Sequence, residues 1–188
     1  MKLERKVRLC SAAAAVLIAA IALTGCGGSK TTASSAAASS VAASTAAATN
    51  NSCGEGVTWA LADGTLTISG TGRMTDYNSN SPAPWADQAD QITAVVVEAG
   101  VTTVGGSSFK GCTNLTTVTL ADGVEYIETA AFNGCTALSD ITIPESVGYI
   151  KTGAFKDCTA LTSVTVRSNC RIDTNVFPAT VEVNRYAD

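Results

Sequence analysis

Histidine is absent from all 188 residues, aromatic residues make up only 5% of the chain and charged residues only 15%. The missing imidazole removes Ser-His-Asp and Cys-His nucleophilic sites and every metal site built on His. With 12 basic against 16 acidic residues and a formal net charge of −4, there is no basic footprint for nucleic acid. Lys2, Arg5, Lys6 and Arg8 sit in the first 25 residues against Glu4 alone, so the rest of the chain is more acidic still. That balance also argues against electrostatic docking on anionic lipid. A membrane-length apolar run is lacking too, because the one at residues 11–23 is too short for an ordinary transmembrane helix.

What is there begins with a secretory signal over residues 1–25, a basic stretch followed by a short apolar stretch and small residues. Leu23-Thr24-Gly25-Cys26 resembles a bacterial lipobox. The resemblance implies that Cys26 is lipidated on its thiol, becomes the first mature residue and holds the protein to the membrane. One acyl chain holds weakly, whereas two or more anchor stably. An ordinary signal cut elsewhere, or an uncleaved anchor, is the alternative reading. Residues 26–52 are nearly all Ala, Ser, Thr and Gly, with no recurring large apolar side chain. Nothing there offsets the entropy of ordering, so the segment is expected to be a disordered tether.

The strongest signal is self-similarity at a period of 23: Phe109, Phe132 and Phe155; Cys112, Cys135 and Cys158; Leu115, Leu138 and Leu161. Val95, Val118, Ile141 and Val164 keep the same spacing, as do Val97, Leu120, Ile143 and Val166, and Phe177 follows one residue early. Each copy opens with a strand whose spacing-two pair, such as Val118 and Leu120, faces one side. The chain then turns, at Asp122-Gly123, Pro144-Glu145-Ser146 or Ser168-Asn169, and returns along a side bearing Val, Ile, Ala and Phe. One coil cannot bury that set alone, so the pattern predicts a stack.

The run Cys-x-x-Leu-x-x-Val-x-Leu-x-x-x-Val-x-x-Ile-x-x-x-Ala-Phe at residues 112–132 resembles the BspA-like class of leucine-rich repeat. The resemblance covers about 92–183. It implies a mainly β repeat solenoid of about four coils. The chain departs from the commonest leucine-rich repeats in lacking an Asn ladder. Gly123, Ser146 and Asn169 stand near that place, so turn hydrogen bonding is expected to differ between coils.

Residues 53–85 read as an N-terminal β-hairpin cap, with Val57, Trp59 and Leu61 alternating, a turn at Asp63-Gly64, then Leu66 and Ile68. The text CGEGVTWALADGTLTISGTGRMTDY resembles the segment that often precedes BspA-like repeats. Residues 86–188 then form the solenoid, with Val181-Glu182-Val183 as a closing strand after Pro178.

Little of the chemistry points to catalysis. Asp122, Glu125, Glu128, Asp140, Glu145 and Asp157 fall at turn and exposed positions and are expected to be solvated. No glycine-rich phosphate loop appears, and Gly105-Gly106-Ser107 reads as a turn. Cys112, Cys135 and Cys158 are expected as a column of small buried hydrophobes, with a disulfide inside the column as the alternative. A column of single thiols supplies no tetrahedral metal set, and no cofactor is expected.

The surface most able to bind is the concave strand face. Its outward positions are Ala94, Val96 and Glu98; Thr117, Thr119 and Ala121; Asp140, Thr142 and Pro144; Ser163, Thr165 and Arg167. The candidate binding residues are Thr117, Thr119, Asp140, Thr142, Ser163, Thr165 and Arg167. Thr119, Thr142 and Thr165 form a row, one per coil. Threonine also suits any solvated strand, and that plain reading outweighs a dedicated ligand row. The family resemblance implies a non-enzymatic surface module that binds an extracellular or envelope protein or glycan. A structural or accessory envelope protein, acting as spacer or partner subunit, is the alternative.

Overall fold

The computed structural model describes residues 51–186. The expected signal, Cys26 and nearly all of the tether lie outside the described residues. Each coil is built from two short strands joined by tight turns. The strands on one side are β5 (Ala94–Val97), β7 (Thr117–Leu120), β9 (Asp140–Thr142) and β11 (Ser163–Arg167). Each alternates a buried with a less buried residue, as the spacing-two pairs require. Those on the other side are β6 (Val101–Val104) and the two-residue β8 (Tyr126–Ile127), β10 (Tyr149–Ile150) and β12 (Arg171–Ile172). They make a second, parallel sheet on the return side, which the sequence pattern did not reveal.

The hairpin appears where Asp63-Gly64 places it. β2 (Val57–Ala62) and β3 (Thr65–Gly70) pair antiparallel, Trp59 opposite Ile68 and Leu61 opposite Leu66. Asp63 and Gly64 take φ of 49° and 76°, the left-handed pair that a two-residue type I′ turn demands. A third strand, β1 (Ser52–Gly54), adds to its edge. β3 then pairs in parallel with β5, Leu66 beside Val95, so the hairpin continues into the solenoid sheet β1-β2-β3-β5-β7-β9. β4 (Gly72–Arg73) starts the second sheet, ordered β12-β10-β8-β6-β4.

Between the sheets runs a column of rings. Phe109, Phe132 and Phe155 are fully buried and stack at 5.1 and 5.2 Å between centroids, nearly parallel. One ring per coil and strands ~4.8 Å apart dictate that spacing. Trp85 extends the column at one end, 5.6 Å from Phe109, and half-buried Phe177 at the other, 5.3 Å from Phe155. Each buried ring contributes roughly 1.5–3 kcal/mol by leaving water.

The cysteine column is as expected, with Cys112, Cys135 and Cys158 buried as free thiols. Each of the last two donates to a carbonyl of the preceding coil: Cys135 Sγ to Phe109 O at 3.1 Å and Cys158 Sγ to Phe132 O at 3.2 Å. Burial pushes the Cys112 thiol up to about 12 and the Cys158 thiol up to about 11. Such groups stay protonated near neutrality and are poor nucleophiles.

The chain closes with β13 (Glu182–Tyr186), which pairs with β11 and runs beyond the three residues expected. Its inward places hold Val183, beside Val164, and Arg185, beside Val166. Arg185 Nη1 lies 2.9 Å from both the Ser168 and Cys170 carbonyls and 3.4 Å from that of Arg167, satisfying the ends of the last coil.

Candidate binding face

The strand face is built by register. Thr117 lies beside Asp140 and Thr119 beside Thr142, all four exposed. On the other side of β7, Thr117 meets Ala94 and Thr119 meets Val96, and the row continues to Thr67 of the hairpin. Ser163 and Thr165 of β11 are exposed as well, whereas Arg167 is half-buried and opposite Tyr186 of β13.

The face is divided. β9 ends the six-stranded sheet, and β11 pairs with β13 in a separate two-stranded sheet. On the return side the same coil step is zipped, β10 pairing with β12 in register. The Ala121 N–H donates to Val97 O at 2.9 Å and closes the β5–β7 step. The equivalent residue one coil later is Pro144, which has no N–H to give back to Leu120, so the β7–β9 step closes one bond short. β9 is accordingly one residue shorter than β7.

Over this division lies a cavity of about 720 Å³, lined among others by Asp140, Thr142, Pro144, Ser163, Thr165 and Tyr186. Asp122 and Glu145 add carboxylates, and Ser146 adds a hydroxyl. That hydroxyl also joins two coils, accepting from Gly123 N–H at 3.0 Å and donating to Val124 O at 2.8 Å. A smaller hollow beside it is lined by Thr117, Thr119, Asp140 and Thr142. Six of the seven candidate residues therefore border adjoining hollows, and Arg167 borders neither. The lining offers hydroxyl donors and carboxylate acceptors without a paired nucleophile and base. Among the described residues no group of three His, Cys, Asp or Glu is placed to hold a metal ion.

One expectation fails on the other side. Glu128 was expected in solvent, but it is only 7% exposed. Lys151 Nζ stands 2.6 Å and Arg73 Nη2 3.6 Å from its carboxylate oxygens. Register explains the error: Lys151 occupies the same place one coil later, and Arg73 comes from β4. The hydrogen bond to Glu128 holds the Lys151 ammonium above the usual lysine range. Gly105 stands at that place one coil earlier. A β-carbon there would collide with the Thr75 carbonyl, so glycine is required for close approach. Tyr126 and Tyr149, 23 residues apart on the second sheet, keep a repeat spacing that is visible in the sequence but marks no site there.

The family model described as "BspA type leucine rich repeat region (6 copies)" matches residues 87–186. The chain belongs to this family. The BspA type repeat also aligns in space with solved relatives. It is similar to a leucine-rich repeat protein from Eubacterium ventriosum, at 26% identity and a TM-score of 0.55, covering 70% of this chain and 42% of that one. It is similar to a leucine rich cell surface protein from Faecalibacterium prausnitzii, at 25% identity and a TM-score of 0.50, covering 68% and 41%. The BspA type chain thus spans only about two-fifths of the length of either relative. No curated protein matches it.

Proposed function

We propose that this BspA type chain is a bacterial surface lipoprotein, anchored through Cys26, whose strand face binds an extracellular or envelope protein or glycan. The observation that carries the binding reading is the divided strand face, where Asp140, Thr142, Ser163 and Thr165 line one open cavity. Hydroxyls and carboxylates on a solvated strand make hydrogen bonds at small desolvation cost, which suits weak contacts multiplied over many anchored copies. The carboxylates of Asp122, Asp140 and Glu145 favour a partner that presents donors or positive charge. The anchoring reading rests on the lipobox-like Leu23-Thr24-Gly25-Cys26. No helix among the described residues is long and apolar enough to cross a membrane. The similar protein from Faecalibacterium prausnitzii is called a cell surface protein, which supports the location.

The test pairs two variants in cells that make the full chain. Cys26→Ala is expected to move the protein from the membrane fraction to the soluble one. Replacing Thr119, Thr142 and Thr165 together by Lys is expected to keep the fold and abolish adhesion to coated matrix proteins and polysaccharides. A folded triple variant that adheres like the parent rules out the strand face, and an unreleased Cys26→Ala protein rules out the anchor.

A further inference from the structure

The second sheet carries a feature that the strand face lacks. Tyr126 of β8 and Tyr149 of β10 share one register position, and their neighbours Ile127 and Ile150 are fully buried. The alternation turns both phenols outward. Tyr126 is 41% exposed, unusual for a large apolar side chain in a chain with so few aromatics. Between the coils lies a shallow, open hollow of about 430 Å³, lined by Glu125, Tyr126, Ser146, Gly148, Tyr149 and Arg171. That volume falls in the ~300–1,000 Å³ range of small-ligand sites.

The walls are set before anything binds. The Arg171 guanidinium sits 4.8 Å over the Tyr149 ring, and the Tyr149 hydroxyl donates to Asp173 at 2.8 Å. A ring fixed at its face and its hydroxyl loses little freedom on binding. Gly148 is one of the lining residues, and nothing structural calls for glycine there. Its φ is not among the positive ones, and an added β-carbon would meet only the Glu125 carbonyl, at 4.0 Å. The equivalent residues one and two coils earlier are Glu125 and Thr102, each with a side chain. The missing side chain leaves the space beside Gly148 open to the hollow.

We propose that this cavity is a carbohydrate subsite for a neutral pyranose at the end or edge of a glycan. The polarised C–H face of the sugar lies on the Tyr126 ring, whose negative face attracts it. The hydroxyls donate to the Glu125 carboxylate and accept from Arg171. One carboxylate and one guanidinium in the same hollow disfavour an anion and a cation alike. A neutral ligand carrying both donors and acceptors satisfies both groups. This site shares only Ser146, at the turn, with the strand-face cavity and takes the rest of its lining from other residues, so it stands or falls independently of the reading proposed above.

The probe is a panel of neutral gluco-, manno- and galacto-oligosaccharides titrated into the purified full chain. Saturable binding of at least one is expected. Gly148→Leu fills the hollow from its Gly148 side, and Tyr126→Ala removes the platform. Each is expected to weaken that binding by about tenfold or more with thermal midpoints unchanged, as loss of an aromatic anchor does. Tyr126→Phe and the strand-face triple Lys variant are expected to bind as the parent does. Absence of saturable binding to the whole panel overturns the proposal, as does binding unchanged in both Gly148→Leu and Tyr126→Ala. A Gly148-dependent contact with peptides but not sugars overturns it too, and assigns the hollow to a protein partner.

Discussion

At its N-terminal end the repeat stack meets a three-stranded hairpin and two tryptophans. At its C-terminal end it meets a single five-residue strand. The first end is sealed with apolar surface. Trp85 is 1% exposed and touches Trp59 and Tyr77 edge-on as well as stacking on Phe109. Its indole N–H donates to the Ser108 carbonyl at 2.8 Å. The second end is sealed with a charge. Val183 is 38% exposed although its register faces inward, and Arg185 lays its guanidinium across three carbonyls. A stack can therefore be closed by continuing the core or by satisfying the backbone it leaves open, and the two closures have different strengths.

The sharpest way to break this comparison is to cut the aromatic column at its ends. Trp85→Ala is expected to cost ~3–5 kcal/mol, because a fully buried indole leaves a cavity among Trp59, Tyr77 and Phe109. Phe177→Ala removes a half-buried ring that stacks on Phe155. It is expected to cost about 1–2 kcal/mol, close to the transfer cost for half a ring. Urea unfolding of both variants checks the ranking. Equal losses would mean that the C-terminal end is packed as tightly as the N-terminal one.

How much of this was legible follows from how each feature is encoded. The Phe, Cys and Leu columns were visible because each needs one residue per coil at a fixed spacing. The hairpin was visible because Asp63-Gly64 is a local signal. Trp85 was not assigned to the ring column because it precedes Phe109 by 24 residues rather than 23. The β8, β10 and β12 strands have two residues each, too few for alternation to register. Glu128 was misplaced because its partners come from elsewhere in the stack, Lys151 from the next coil and Arg73 from β4, two strands away. On the strand face, outward positions followed from alternation. The division between β9 and β11 did not, since alternation fixes which way a side chain faces and not which strands pair.

A smaller effect is expected from the charged closure. Arg185→Met keeps an aliphatic stem over Val166 and removes the three carbonyl contacts. The loss is expected to be about 1 kcal/mol, the usual net worth of hydrogen bonds that water can replace. Hydrogen exchange resolves it better than global unfolding: β13 amides are expected to exchange faster while β5 and β7 amides keep their protection. Uniformly faster exchange throughout would make β13 part of one cooperative unit and erase the contrast between the ends.

The smallest expected effect has the opposite sign and lies between the two ends, where coil follows coil. The turn before each Phe places one residue in the left-handed region: Ser107 at φ 54°, Ala130 at 56°, Gly153 at 69° and Asn175 at 56°. Gly153 and Asn175 suit that conformation, whereas Ala130 has a β-carbon that clashes with the following carbonyl, costing roughly 1–2 kcal/mol. Ala130→Gly removes the clash and gives back ~0.5–1 kcal/mol in unfolded-chain freedom. The net expectation is a stabilisation of about 0.5–1 kcal/mol. Gly153→Ala runs the same exchange in reverse one coil later, where an added β-carbon meets nothing closer than the Lys156 Cβ at 3.9 Å. Space is therefore not the obstacle at Gly153, and the backbone angle alone is expected to lower its stability by a similar amount. Urea midpoints moving in opposite directions for the two variants would show that the turn is set by backbone conformation. If both variants are less stable than the parent, the Ala130 methyl makes a contact worth more than the strain it carries.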